Sequence, residues 1–358
     1  MIYIGLGVEE MLSISITIIL IGVIVIALIF ALSNGLHDAS SVVATFIVCG
    51  AATPKQAIGV ASVFGLLGAI LGGSAVADTI SKVIDLPANS SLLIILLAAM
   101  IGAVIWNLVT WRLGLPSSST HALIGGIIGA VWVSSGYKHI LWGFKELIGS
   151  NHEITGIVKV IAALIISPFV GFIAAFLLQK VSRVLLRDAK FTVNKSLKKV
   201  QWVLAATLAY SHGANDTQKI IGIITLALAA GSGVAMHTAP LWVRCAGGLV
   251  MFIGTMVGGW SIIKTIGRKI YNIRPIHSAN SQLASVGSIF IATLIGAPVS
   301  TTHVVVGSVM GVGAADEYRM VNWGIAKEII IAWFITIPLT AIVSALVYES
   351  INLIFKIK

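Results

Sequence analysis

Of 358 residues, 58% are hydrophobic and only 10% are charged, with a mean hydropathy of +1.02. A soluble domain carries about a quarter charged residues, so this chain cannot cover itself with a solvated surface, which excludes a cytosolic enzyme, a nucleic-acid module and a disordered protein. The net charge of +10 gathers in loops between apolar runs, the pattern of cytoplasmic loops in a membrane protein.

A membrane span needs about 20 apolar residues. The first run, 12–32, lacks a basic leader and a cleavage site and reads as a retained helix, not a signal peptide. An irregular stretch follows at 39–52, then apolar runs at 56–77, 92–111, 119–136 and 157–179. Next comes a basic segment, 181–199, which with Lys180 holds Arg183, Arg187, Lys190, Lys195, Lys198 and Lys199 against Asp188 alone. The stretch 200–231 is about one span plus a break, compatible with two half-helices or a hairpin. Runs at 240–263, 283–297, 299–315 and 325–349 complete the chain, with a second basic loop carrying Lys264, Arg268, Lys269 and Arg274. Placing both basic loops in the cytoplasm puts the N-terminus, with Glu9 and Glu10, outside, and gives the two halves opposite orientations. Lys356 and Lys358 then fall outside, a mild exception. Cys49 and Cys245 sit far apart in apolar sequence and imply no disulfide framework.

Two polar motifs recur in the same order. Asn34-Gly35-Leu36-His37-Asp38 matches His212-Gly213-Ala214-Asn215-Asp216, and Pro116-Ser117-Ser118-Ser119-Thr120-His121 matches Pro298-Val299-Ser300-Thr301-Thr302-His303. From Asp38 to His121 is 83 residues, and from Asp216 to His303 is 87. This is an internal duplication, in which Asn34 stands opposite His212 and His37 opposite Asn215. Inverted duplications mark secondary transporters, with the substrate held where the repeats meet. The expected organisation is a first repeat over 1–180, a basic linker over 181–199 and a second repeat over 200–358.

Each motif has a chemistry and a plainer alternative. A carboxylate at membrane depth costs about 2.5–3.5 kcal/mol unless a cation or proton compensates it. Asp38, Asp216, Asn34 and Asn215 with carbonyls freed around a glycine break are hard oxygen ligands for a small cation; the alternative is a pair of loop ends near the headgroups. Lys219 is the nearest cation in sequence to Asp216. The Pro-Ser runs read as helix starts inside the membrane, where hydroxyls and a positive dipole end bind an oxyanion; the alternative is ordinary N-caps at the surface. Ser118, Ser119, Thr120, Ser300, Thr301 and Thr302 are the candidate oxyanion ligands. His37, His121, His212, His303 and Gln218 support them, with a structural role favoured for His121 and His303. Arg112 reads as an interfacial anchor. A membrane metallohydrolase is the rival from another class, but it needs clustered His and carboxylate ligands, and Glu328 is the best extra acid on offer; no HExxH or nucleophile elbow is present.

Ser33-Asn-Gly-Leu-His-Asp38, Trp106-Asn through Gly-Leu-Pro-Ser-Ser-Ser-Thr-His121, Ser211-His-Gly-Ala-Asn-Asp-Thr-Gln-Lys219 and Pro298-Val-Ser-Thr-Thr-His303 closely resemble the signatures of the inorganic phosphate transporter (PiT) family across nearly the whole chain. The resemblance implies an all-α polytopic membrane protein of about 10–12 segments in two inverted repeats with discontinuous or re-entrant helices. It implies import of inorganic phosphate across the plasma membrane by symport with cations, sodium favoured, no other cofactor, no nucleic-acid partner and a homodimer in the lipid bilayer. Proton-coupled, metal-phosphate and sulfate carriers of the same family are the alternatives; the sulfate relatives lack intact Asn/Asp motifs, so the intact pair favours phosphate. One departure stands out: Ser41 occupies a position where the family commonly has Asn, which bears on its ligand role and on the coupling ion. Moving a phosphate dianion inward against 100 mV costs about 4.6 kcal/mol, which two monovalent cations, one per aspartate, would cancel.

Overall fold

The computed structural model describes residues 2–149, 152–234, 236 and 238–355; Lys356 and Lys358 lie outside the described residues. Thirteen helices account for almost all of it: α1 (Ile2–Val48), α2 (Pro54–Leu71), α3 (Ala75–Ser81), α4 (Ser90–Leu113), α5 (Ser119–Ser135), α6 (Phe144–Ile148), α7 (Gly156–Leu185), α8 (Val193–Ser232), α9 (Leu241–Val257), α10 (Trp260–Lys264), α11 (Pro275–Leu294), α12 (Thr301–Glu317) and α13 (Trp323–Phe355). Among the described residues, β-structure is limited to an isolated bridge between Ile84 and Ile140.

Two sequence expectations are corrected here. Residues 200–231 form neither a hairpin nor two half-helices, because α8 runs unbroken for 40 residues, about 60 Å at 1.5 Å per residue. α1 likewise passes through Asn34-Gly35 without unwinding. The motif glycines serve close packing instead. A Cβ on Gly35 would run into the carbonyl oxygen of Met251 on α9, and one on Gly213 into that of Gly65 on α2. Small residues that let backbones touch are a general device of membrane helix pairs. The helix breaks fall elsewhere, at the Pro-Ser loops and between α9 and α10, which meet at a 63° bend.

Five helices among the described residues are long and apolar enough to cross a membrane, or six if the bent pair α9–α10 counts as one span. α8 and α11 fall outside that set because polar side chains lower their hydropathy, and α12 because it has only 17 residues. The polar stretches of α8 and α12 are sheathed by other helices: residues 211–224 of α8 and 301–313 of α12 are buried on every side, the environment a polar membrane helix requires, whereas α11 keeps Leu283, Phe290, Ile291 and Leu294 exposed. The basic segment is shorter as a loop than its sequence span, since α7 continues to Leu185 and α8 begins at Val193.

Elements of the two halves exchange partners. α2 packs on α8 while α9 packs on α1, and α5 packs on α13 while α12 packs on α7. The apolar core is in two main clusters. α1 contributes Val23–Ala31 residues to the first and Val42–Phe46 residues to the second, whereas α8 contributes Ala205–Ala209 residues to the second and Ile220–Ala230 residues to the first. The two helices therefore traverse the clusters in opposite order, and both polar motifs fall in the layer between them.

Candidate functional site

The site is built from α1, α8 and two helical hairpins. On α1, Asn34, His37 and Asp38 share a face at the three- and four-residue spacing; on α8, His212, Asp216 and Lys219 do the same. Each hairpin turns at a glycine with a left-handed backbone, Gly114 (φ 66°) after α4 and Gly296 (φ 65°) after α11. Each then restarts at a serine N-cap: Ser118 Oγ accepts from His121 N at 3.2 Å, and Ser300 Oγ from His303 N at 3.3 Å. The helix starts are therefore real and buried, with Ser118 at 0% and Thr302 at 0% exposure. Two of the six candidate oxyanion ligands, Ser118 and Ser300, spend their hydroxyl acceptors on capping. Of the remaining four, Ser119, Thr301 and Thr302 donate to the aspartates, while Thr120 Oγ1 donates to the Val299 carbonyl at 3.2 Å and accepts from Lys219.

Asp38 sits between the hairpins. Its Oδ1 accepts from Thr302 Oγ1 of the second half at 2.9 Å, and its Oδ2 accepts from Ser119 Oγ of the first half. His37 Nδ1 donates to Oδ1 at 3.0 Å, while Thr110 and Ser117 hydroxyls each lie 3.3 Å from His37 Nε2. Ser41 Oγ donates to the Asp38 carbonyl at 2.6 Å. Asn34, one turn earlier, is completely buried, and neither its Oδ1 nor its Nδ2 has a hydrogen-bond partner among the described residues. An orphaned buried amide is costly.

Asp216 is differently compensated. His212 Nδ1 donates to its Oδ2 at 2.8 Å, and Thr301 Oγ1 donates to the same oxygen at 3.4 Å. Its Oδ1 is paired with the ammonium of Lys219, which is 1% exposed. The expected sodium ligand Asp216 thus already holds a cation. Asn215 Nδ2 is spent on Thr293 Oγ1 at 3.0 Å and the Ala297 carbonyl at 3.2 Å, which anchors the second hairpin, and its Oδ1 has no hydrogen-bond partner among the described residues.

The supporting residues divide. Gln218 bridges the break between α2 and α3, accepting from Val76 N and donating to the Gly72 carbonyl, each at 2.7 Å. His121 and His303 pack ring against ring at 4.6 Å, and His303 stacks on Trp333 at 3.7 Å, which fits the structural role. Trp333 Nε1 in turn donates to the Pro116 carbonyl at 3.2 Å, bracing the first hairpin from the second half. Arg112 and Glu328 are both exposed and take no part. Thr293, Trp333 and the Val299 carbonyl escaped the sequence reading. Thr110 lies within the family signature that runs from Trp106 to His121, and Lys219 left a trace three residues after Asp216, where the first half has Ser41. Among the described residues no group of three or more His, Cys, Asp or Glu side chains converges, the cluster that a two-metal hydrolase would need.

Comparison with known proteins places this arrangement. A family model described as the phosphate transporter family matches residues 34–200 and 185–344. A probable low-affinity inorganic phosphate transporter of Bacillus subtilis (strain 168) is 40% identical over 94% of this chain and 98% of its own length. One of Rhizobium meliloti (strain 1021) is 37% identical over 94% and 97%. A solved structure of a protein named the sodium-dependent phosphate transporter superposes with a TM-score of 0.81, at 25% identity, over 94% of this chain and 99% of that one. These are transporters rather than enzymes, and the chain belongs to the phosphate transporter family.

Proposed function

We propose that the chain imports inorganic phosphate across the plasma membrane by cation-coupled symport, sodium favoured, through alternating access between two inverted repeats. One observation carries the reading. Two capped helix starts, one from each half, meet over a buried carboxylate that bonds to hydroxyls of both, Ser119 and Thr302. The first-turn N–H groups of such starts have no intrahelical partner and favour an oxyanion. The opposite order in which α1 and α8 cross the two core clusters supports inversion of the repeats. In this reading Ser119, Thr120, Thr301 and Thr302 turn their hydroxyls to phosphate once the hairpins separate, and Asp38 with the orphaned Asn34 takes the coupling cation. The burial of all these groups describes an occluded conformation, and release to either face requires one hairpin to move from the carboxylate it now contacts.

The superposed transporter is named as sodium-dependent, which supports sodium over protons. Labelled phosphate uptake into proteoliposomes, driven by a sodium or a proton gradient with sulfate as competitor, tests the reading. Sodium-driven uptake abolished in Asp38→Asn is expected. Uptake indifferent to both gradients would overturn the symport mechanism, and sulfate displacing phosphate at equal concentration would move the substrate to sulfate.

A further inference from the structure

We propose that the ammonium of Lys219 is a built-in cation that permanently fills one of two pseudo-symmetric cation positions, leaving a single exchangeable position, at Asp38, in each molecule. The inference rests on the cation-coupled reading above.

Superimposing the repeats by motif puts Lys219 opposite Ser41, each three residues after its aspartate. The hydroxyl partners then match across the halves. Asp38 takes Ser119 from its own half, and Asp216 takes Thr301 from its own half. From the other half, Asp38 takes Thr302 directly at 2.9 Å. The equivalent hydroxyl for Asp216 is Thr120, and here the contact is not direct: Lys219 Nζ stands between them, donating to Thr120 Oγ1 at 2.6 Å and to Asp216 Oδ1. Its third proton goes to the Val299 carbonyl at 2.8 Å. The ammonium therefore spends all three donors on a carboxylate, a hydroxyl and a main-chain carbonyl. That is the oxygen set a small hard cation takes, assembled from both hairpins.

In the first half Ser41 is too short to reach this position, so Asp38 has no tethered cation, and the fully buried amide of Asn34 one turn away is unpartnered. The two half-sites differ by one side chain. One is occupied by the protein's own charge and the other is open to a mobile ion. Because Lys219 stays with the chain, it neutralises Asp216 throughout the cycle without adding to the charge carried. A single exchanged monovalent cation then balances phosphate as the monoanion and leaves the step electroneutral.

Coupling ratio is the readout. In proteoliposomes holding the full-length protein, with membrane potential clamped at zero, an imposed phosphate gradient is opposed by a gradient of the coupling cation until net labelled flux vanishes. With one cation per phosphate, about a tenfold phosphate gradient is balanced by about a tenfold cation gradient; with two, by about a threefold one. The wild type is expected to balance at about tenfold. Lys219→Ser, which gives the second half the residue of the first, is expected to shift the balance to about threefold. A wild type balancing at about threefold overturns the inference whether or not the variant folds, as does an active Lys219→Ser still balancing at about tenfold. Uptake that neither a sodium nor a proton gradient drives would instead sink the cation-coupled reading, and this inference with it.

Discussion

The buried pair of Asp216 and Lys219 makes a quantitative claim about stability that does not depend on transport. Lys219→Met would leave the Asp216 carboxylate with His212 and Thr301 as its side-chain partners, inside a stretch of α8 whose residues 211–224 are all buried. Asp216→Asn would leave the ammonium with Thr120 and the Val299 carbonyl. Breaking one partner of a buried ion pair costs about 3–5 kcal/mol, because the other charge stays desolvated, while replacing both by neutral groups of similar volume is often close to neutral. The Asp216→Asn/Lys219→Met double variant should therefore be at least about 3 kcal/mol more stable than the sum of the single losses. Denaturant titration of the purified protein in detergent, followed by a spectroscopic signal of helix loss, measures the cycle. Arg183 and Asp316 supply the contrast: their contact at 3.4 Å has a side chain 52% exposed, and an exposed pair should couple by less than about 1 kcal/mol. Single-variant costs at Asp216 and Lys219 that add to within about 0.5 kcal/mol, the behaviour of independent sites, would refute the buried-pair reasoning.

Two further outcomes follow from packing and capping. Gly35→Ala and Gly213→Ala place a methyl against the backbone of the facing helix and should each cost about 1–3 kcal/mol in the same titration, whereas Gly59→Ala and Gly287→Ala, inside helices with open space around the added carbon, should cost nothing and stabilise by up to about 1 kcal/mol. Ser118→Ala and Ser300→Ala remove the caps on His121 N and His303 N and should cost about 1 kcal/mol each; no loss at either would show that the helix starts do not depend on them.

The membrane character of the chain, its duplication and its two pairs of motifs were legible in the sequence because each rests on local chemistry. Low charge excludes a solvated surface. Hydroxyl side chains cap helix starts, and Ser118 and Ser300 do so, although Pro116 and Pro298 stand two residues before the caps and not in the first turn as the sequence suggested. Hydropathy was less informative for α8, because it assumes that a membrane helix meets lipid and the polar stretch of α8 meets other protein. The motif glycines were misjudged for a related reason. Glycine permits both a broken helix and a close approach, and only the neighbouring carbonyls of Met251 and Gly65 show that close approach is its use here.

The chain itself carries the inventory: two aspartates, two asparagines, two hydroxyl-rich helix starts and a lysine that one half has and the other lacks. Who meets whom is a matter of the fold. Thr302 reaches Asp38 across 264 residues, Lys219 spans to Thr120 across 99, and the Asn34 side chain finds no hydrogen-bond partner among the described residues. Such contacts depend on the relative placement of whole helices, set by backbone packing between α1 and α9 and between α2 and α8. A local pattern of residues carries no record of that placement, whereas the balance of charge in the site depends on it entirely.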